Sequence, residues 1–362
     1  MTRESSFKRR VRARMAKTGE AYSTARAHLD THPGATAPGL LHVTNGDSVT
    51  GTLREAGVAG AILTWADVLH DGPVPAVGPA ELCRVRARHL AARGWGDAKD
   101  VERLFAERER QLAANGGGDY VLWFEADLYD QLLILQLIDA FRRHRVEPAR
   151  VSLVSVGEYR GIAHFGGLGE LSAQQLVPLA EQGQPLTAAA TELAATAWDA
   201  FRSPDPSGLA AIVRARSPEL RFLGEAFARL LQEYPSRTDG LSLTQRRILL
   251  AAAAHEETTA GKAFHALIEA ERRPFLGDTL CWDTIEELAT CEVSLLEIGD
   301  EKPFPERTLR LTDAGREVLA GRQDHVGQSG IDRWIGGVHL VGRTPAWRYD
   351  ERLETLVTLS PS

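Results

Sequence analysis

Tyr120-Val121-Leu122-Trp123-Phe124-Glu125-Ala126-Asp127-Leu128-Tyr129-Asp130-Gln131-Leu132-Leu133-Ile134-Leu135 decides the fold of this chain. It opens with a short run of aliphatic and aromatic residues, the mark of a buried strand. It then passes three carboxylates and enters a stretch whose apolar positions (Leu132, Leu133, Leu135, Leu137, Ile138, Phe141) cover most faces of a helix over 128–144. A strand followed at once by a largely buried helix predicts a helix-covered, parallel sheet.

The same alternation extends in both directions. Strands are predicted at 41–44, 61–65, 120–124 and 151–156, with helices at 49–56, 81–93, 101–112 and 128–144 between them. The fold class expected is therefore an α/β N-terminal domain, a mostly parallel sheet with helices, over residues 40–185. A helical bridge over 186–237 follows, interrupted at Ser203-Pro204-Asp205-Pro206. Beyond it, a capped helix from Leu241-Ser242, helices at 260–271 and 279–289, strands at 293–298 and 308–311 and the run Leu311-Thr312-Asp313-Ala314-Gly315-Arg316 predict a mainly helical, winged-helix-like domain over 238–322. Residues 323–362 read as a polar C-terminal segment, with His339 and Trp347-Arg348-Tyr349-Asp350 either sealing that domain as an edge strand or returning to the α/β crevice.

In an open parallel sheet, ligands bind beyond the carboxyl ends of the strands, where helix N-termini offer free N–H groups. Asn45-Gly46-Asp47-Ser48 follow the first strand, and Asp67, His70 and Asp71 the second. Glu125, Asp127, Asp130 and Gln131 follow the third, and Glu158 and Tyr159 the fourth. Convergence of these groups suits acid–base or metal-assisted chemistry. Ser48, His70 and Glu125 are the catalytic candidates. Asn45, Gly46, Asp47, Asp67, Asp71, Asp130, Gln131, Glu158 and Tyr159 are the ligand-binding candidates, and Asp47 and Asp127 the metal candidates for a hard divalent cation such as Mg²⁺. Each cluster also has a purely structural explanation. Asp47 or Ser48 can cap a helix, Asp127 with Asp130 resembles a capping box with Asp in place of Glu, and His70-Asp71-Gly72-Pro73 makes a turn.

Two family resemblances bear on these motifs. Gly46-Asp47-Ser48 with Gly51 resembles the first block of GDSL-type esterases, and Asp67-Val68-Leu69-His70 has the spacing of that family's acid and base. Here that block follows the serine by only 19 to 22 residues, whereas in that family it lies near the end of the domain. The second resemblance covers more of the chain. His42-x-x-x-Gly46-Asp47-Ser48, Asp67-x-Leu69-x-x-Gly72-Pro73, Trp123-Phe124-Glu125-x-Asp127-x-x-Asp130-Gln131, Gly166-Gly167-Leu168-Gly169-Glu170-Leu171 and Arg333-Trp334-Ile335-Gly336-Gly337 together resemble the bacterial domain-of-unknown-function 1835 family, in its long members with a winged-helix-like C-terminal part. That resemblance implies the domain layout and no reaction.

Charge bears on partners. The formal net charge of −7 over 362 residues hides a basic arm and linker over 1–39, whose first 30 residues hold eight Lys/Arg against three Asp/Glu. That arm reads as a short helical hairpin suited to docking nucleic acid or a protein, or to solubility. The winged-helix-like stretch holds ten Lys/Arg against 16 Asp/Glu, and its third helix with its lead-in carries Asp278, Asp283, Glu286 and Glu287, so phosphate repels it and DNA binding there is disfavoured. Three scattered cysteines and no apolar run of membrane-spanning length predict a cytoplasmic protein without disulfides or a membrane segment. The reading that results is an enzyme of hydrolytic or group-transfer type acting on a small molecule, with a non-enzymatic ligand-sensing regulator or adaptor as the alternative.

Overall fold

The computed structural model of the chain describes residues 39–162, 165–255, 257–299 and 302–359. The expected helical hairpin of the basic arm lies outside them. Two compact units emerge. The first comprises the described residues up to Leu69, Pro73–Arg202 and Arg216–Leu223; the second comprises His70–Gly72, Ser203–Ala215 and the residues from Gly224 onward. The stretch read as a bridge is thus divided between them.

The first unit is an α/β fold. Its elements run β1 (Leu40–Thr44), α1 (Asp47–Glu55), β2 (Ala61–Thr64), α2 (Pro79–Ala92), α3 (Ala98–Ala114), β3 (Asp119–Glu125), α4 (Leu128–Arg143), β4 (Val151–Val156), β5 (Gln184–Pro185) and α5 (Ala188–Arg202). The sheet order is β2-β1-β3-β4-β5, parallel throughout except for the two-residue β5, which pairs antiparallel to β4. Register pairs Thr44 with both Thr64 and Trp123, so the carboxyl ends of β1, β2 and β3 align.

Alternation along the strands builds two cores. Trp123, Val154 and Val156 face Val49 and Leu53 of α1 together with Leu168 and Leu171. Tyr120 on the other face meets Phe141 of α4 edge-on, with ring centroids 4.7 Å apart. Buried between the sheet and α5, α4 is apolar nearly all round. His42 belongs to this framework. Its Nε2 donates to the Ala59 carbonyl at 3.1 Å and its Nδ1 accepts from Trp123 Nε1 at 3.0 Å, an arrangement for a neutral imidazole, and burial lowers its pKa accordingly.

The second unit carries α6 (Leu209–Arg214), α7 (Leu223–Leu231), α8 (Leu243–Ala253), β6 (Thr258–Thr259), α9 (Ala260–Ala270), α10 (Asp278–Thr290), β7 (Leu296–Ile298), β8 (Thr308–Leu311), α11 (Asp313–Leu319) and α12 (His325–Ser329). A Ser242–Gln245 capping box starts α8. Ile248, Leu267, Cys281, Ile285, Leu288, Leu309 and Val318 form one core among α8, α9, α10, α11 and the β6-β8-β7 sheet. The predicted polar C-terminal segment holds two antiparallel hairpins instead, β9 (Ile331–Gly336) with β10 (Val338–Gly342), and β11 (Trp347–Asp350) with β12 (Thr355–Thr358). Ile335, Val338, Leu340 and Tyr349 anchor them inward, and too few apolar positions alternate there to announce strands.

A buried ion network braces this unit. Glu233 takes Arg229 at 2.8 Å and Arg333 at 2.7 Å, and Arg229 reaches Glu271 at 2.7 Å. The two guanidinium groups overcome the burial penalty on Glu233 and hold its carboxyl down at about 2. Among the described residues no helix is long and apolar enough to cross a membrane.

Candidate functional site

Strand order locates the site. From β1 the chain passes through α1 to β2 on one side, whereas from β3 it passes through α4 to β4 on the other. The two loops part at the carboxyl ends of β1 and β3, the switch point at which parallel sheets open a crevice. Asn45 and Gly46 leave one strand there; Glu125, Ala126 and Asp127 leave the other.

A hydrogen-bond lattice ties the two loops together. Asn45 Nδ2 donates to Asp130 Oδ1 at 2.8 Å and to Oδ2 at 3.0 Å, and the Glu125 backbone N–H donates to Asp130 Oδ2. Asp127 is the N-cap of α4, its Oδ1 accepting from the Asp130 N–H at 3.1 Å. The expected capping box is therefore half made: the Asp130 side chain turns to Asn45 and Glu125. Gln131 Nε2 holds the Glu125 carbonyl at 2.7 Å, fixing the strand end from inside.

One carboxylate oxygen from each of Glu125, Asp127 and Asp130 lies within 4.8 Å of the others. Asp130 is fully buried, Asp127 nearly so, and Glu125 half-buried. Desolvation first, and the neighbouring Asp127 charge second, push the Glu125 carboxyl up to about 8; desolvation also lifts Asp127 to about 6 and Asp130 well above the usual range. At neutral pH the cluster therefore keeps protons that isolated carboxylates release. A divalent cation would replace them, since Glu125, Asp127 and Asp130 offer only hard oxygen donors.

The Gly166–Gly169 stretch forms the third wall. Leu168 N–H donates to Glu125 Oε1 at 2.6 Å. Gly167 takes φ +148°, and a Cβ there would stand 2.4 Å from the same oxygen, so only glycine lets the backbone come this close. A Cβ on Gly169 would fall equally close to Ser48 Oγ, which donates to the Gly169 carbonyl at 3.3 Å. Glycine spacing alone carried no sign of this contact; it needed the loop after β4 to fold back over β1 and β3.

The other candidates separate. Asp47 and Ser48 lie inside the first turn of α1, whose N-cap is Gly46 without a side-chain cap bond, so neither acts as the cap. Helix α1 starts two residues before its predicted beginning, which suits an acidic Asp47 at the positive end of the helix dipole. Asp67 is buried in an ion pair with Arg86, 2.8 Å from Nη2, a partner on α2 that the loop sequence did not suggest. His70 and Asp71 belong to the second unit, where the His70 ring meets Phe275 edge-on at 5.1 Å. Glu158 is exposed, and Tyr159 packs its ring 6.2 Å from Phe165. Compared with protein-family models and with curated proteins, the chain matches none.

Proposed function

We propose that the first unit is an enzyme that carries out metal-assisted hydrolysis or group transfer on a small molecule, with Glu125, Asp127 and Asp130 as its centre. The observation that carries this reading is the three-carboxylate cluster at the β1/β3 switch point, buried enough to hold protons near neutral pH. A bound Mg²⁺ or Mn²⁺ would take the open oxygens of Glu125 and Asp127, with Asp130 held in line by Asn45. The cation would polarise a substrate oxygen and lower the pKa of a bound water. Ser48, exposed on the first turn of α1 beside the Gly169 carbonyl, contacts the substrate. In the metal-free protein, Glu125 holds a proton that the cation would displace.

Titration calorimetry with Mg²⁺ and Mn²⁺ tests it. Binding is expected to tighten from pH 6 to pH 9 as the cation displaces protons, and to disappear in Glu125→Gln and Asp127→Asn. Turnover of activated esters or phosphate esters should require the cation and vanish in both variants. Undiminished metal binding and turnover in both would remove the assignment.

A second reading rests on a different observation. Helices α8, α9 and α10 followed by the β7–β8 hairpin give the element order of a winged helix. Under that reading the second unit relays ligand occupancy to a protein partner rather than to DNA, because α10 bears Asp278, Asp283, Glu286 and Glu287. A cytoplasmic location, docking of nucleic acid or protein by the basic arm, and membership of the domain-of-unknown-function 1835 family belong to the same proposal, on motif and charge alone.

A further inference from the structure

A cavity of about 500 Å³ lies within the first unit among α2, α3, α4 and α5, sharing no residue with the carboxylate cluster. Its size is that of ordinary small-molecule sites. Arg108 of α3 faces it from a position 91% buried, its guanidinium carbon 4.3 Å from the Trp65 ring centroid and 4.1 Å from that of Phe105. The groups it donates to are neutral: the Ala66 carbonyl and, at 3.3 Å, Gln136 Oε1, which also accepts from Trp65 Nε1 at 2.8 Å.

Among the described residues no carboxylate forms an ion pair with Arg108. Asp67, which lines the same cavity, is bound by Arg86. A guanidinium carries five N–H donors, and two are accounted for here. Asp67 and Glu109, which line the cavity with Glu102 and Asp139, act on Arg108 only at a distance; a buried cation with no carboxylate bonded to it remains costly, and stacking on two rings offsets only part of that cost. A second cation, Arg202 at the end of α5, also lines the cavity; it stacks on Trp198 at 5.3 Å and donates to two backbone carbonyls, those of Pro75 and Val77. Trp198 keeps a buried indole N–H that meets no acceptor among the described residues.

Two arginines bonded only to neutral oxygens, in a cavity whose lining includes Trp65, Phe105 and Trp198, call for an oxyanion attached to a planar ring. We propose that this cavity binds such a ligand, its carboxylate or phosphate group taken by Arg108 and Arg202 and its ring held by the apolar part of the lining. The site stands apart from the proposed metal centre and does not depend on it.

Phenyl phosphate and benzoate, titrated against the full chain by calorimetry and tryptophan fluorescence, test the proposal and separate the two oxyanions. Saturable binding of one or both is expected, weakened about 10-fold or more in Arg108→Gln and about 3- to 10-fold in Arg202→Gln, since each loses a charge-assisted hydrogen bond. Arg88→Gln, an exposed arginine on α2 outside the cavity, should bind like the parent chain. Should Arg108→Gln fail to fold, half-buried Arg202 decides the matter. Absence of binding of both compounds up to about 10 mM, or parental affinity in the folded variants, overturns the proposal.

Discussion

Glu125 shows how position changes a residue's chemistry. An ordinary glutamate titrates near 4.5, yet this one holds its proton to about 8, because burial penalises the anion and Asp127 adds a second negative charge beside it. The consequence for folding has a definite sign. A carboxyl whose folded pKa lies above its unfolded value binds more protons when folded, so its stabilising contribution is complete below about 4.5 and is lost as pH rises through about 8. Without divalent cations, the urea midpoint of the parent chain should fall between pH 5 and pH 9. Glu125→Gln copies the shape of the protonated form and cannot ionise. It should flatten that decline and stabilise the fold at pH 8 while abolishing metal binding. A variant that is less stable than the parent at pH 8 would show that the carboxylate, not the acid, is the folded form.

At the scale of elements, the strand ends matter more than the strands. β1, β3 and β4 were legible because strands buried on both faces must be continuously apolar, β2 because a half-buried edge strand kept an aliphatic run, and α4 because a doubly buried helix cannot be amphipathic. The antiparallel β5 was not, since Gln184 and Pro185 are exposed and two residues carry no period. Nor was the fate of Asp67: its partner Arg86 sits on a separate helix, and the loop alone gives no reason to choose an ion pair over a ligand. Asn45 and Asp130, 85 residues apart, were each legible as polar groups after a strand, while their mutual bond depended on β1 and β3 being neighbours. That bond should hold the two strand ends in position. Asn45→Ala strips two donors from a fully buried carboxylate, and an unsatisfied buried group of this kind costs roughly 1–3 kcal/mol. Chemical denaturation should register that loss, and metal affinity should drop with it, whereas Asn45→Asp should be worse still by adding a fourth acid. If Asn45→Ala retained parental stability and metal affinity, the bridge would have no structural role.

Across the whole molecule, charge is segregated by sequence, and the segregation makes opposite demands on a nucleic-acid partner. The net of −7 combines a strongly positive first 30 residues with a 238–322 stretch in which acids outnumber bases 16 to ten. Phosphate binding releases counterions in proportion to the cations engaged, so the dependence of affinity on salt reports which part of the chain is in contact. If the basic arm alone engages duplex DNA, the full chain should bind it weakly and without sequence preference, with a log–log salt slope no steeper than about −7, the limit set by eight Lys/Arg. Replacing Arg9, Arg10, Arg12 and Arg14 with Gln should remove most of that binding, about halving the slope of what remains. Charge reversal at Asp283 and Glu287 of α10 should leave the arm's contribution unchanged. Fluorescence anisotropy of a labelled duplex between about 50 and 200 mM salt distinguishes the cases, because the electrostatic part of the affinity is steepest over that range. Sequence-specific binding that survives the four arginine replacements would place DNA on the second unit despite its acidity, and the reading of α10 as a surface for protein contact would fall.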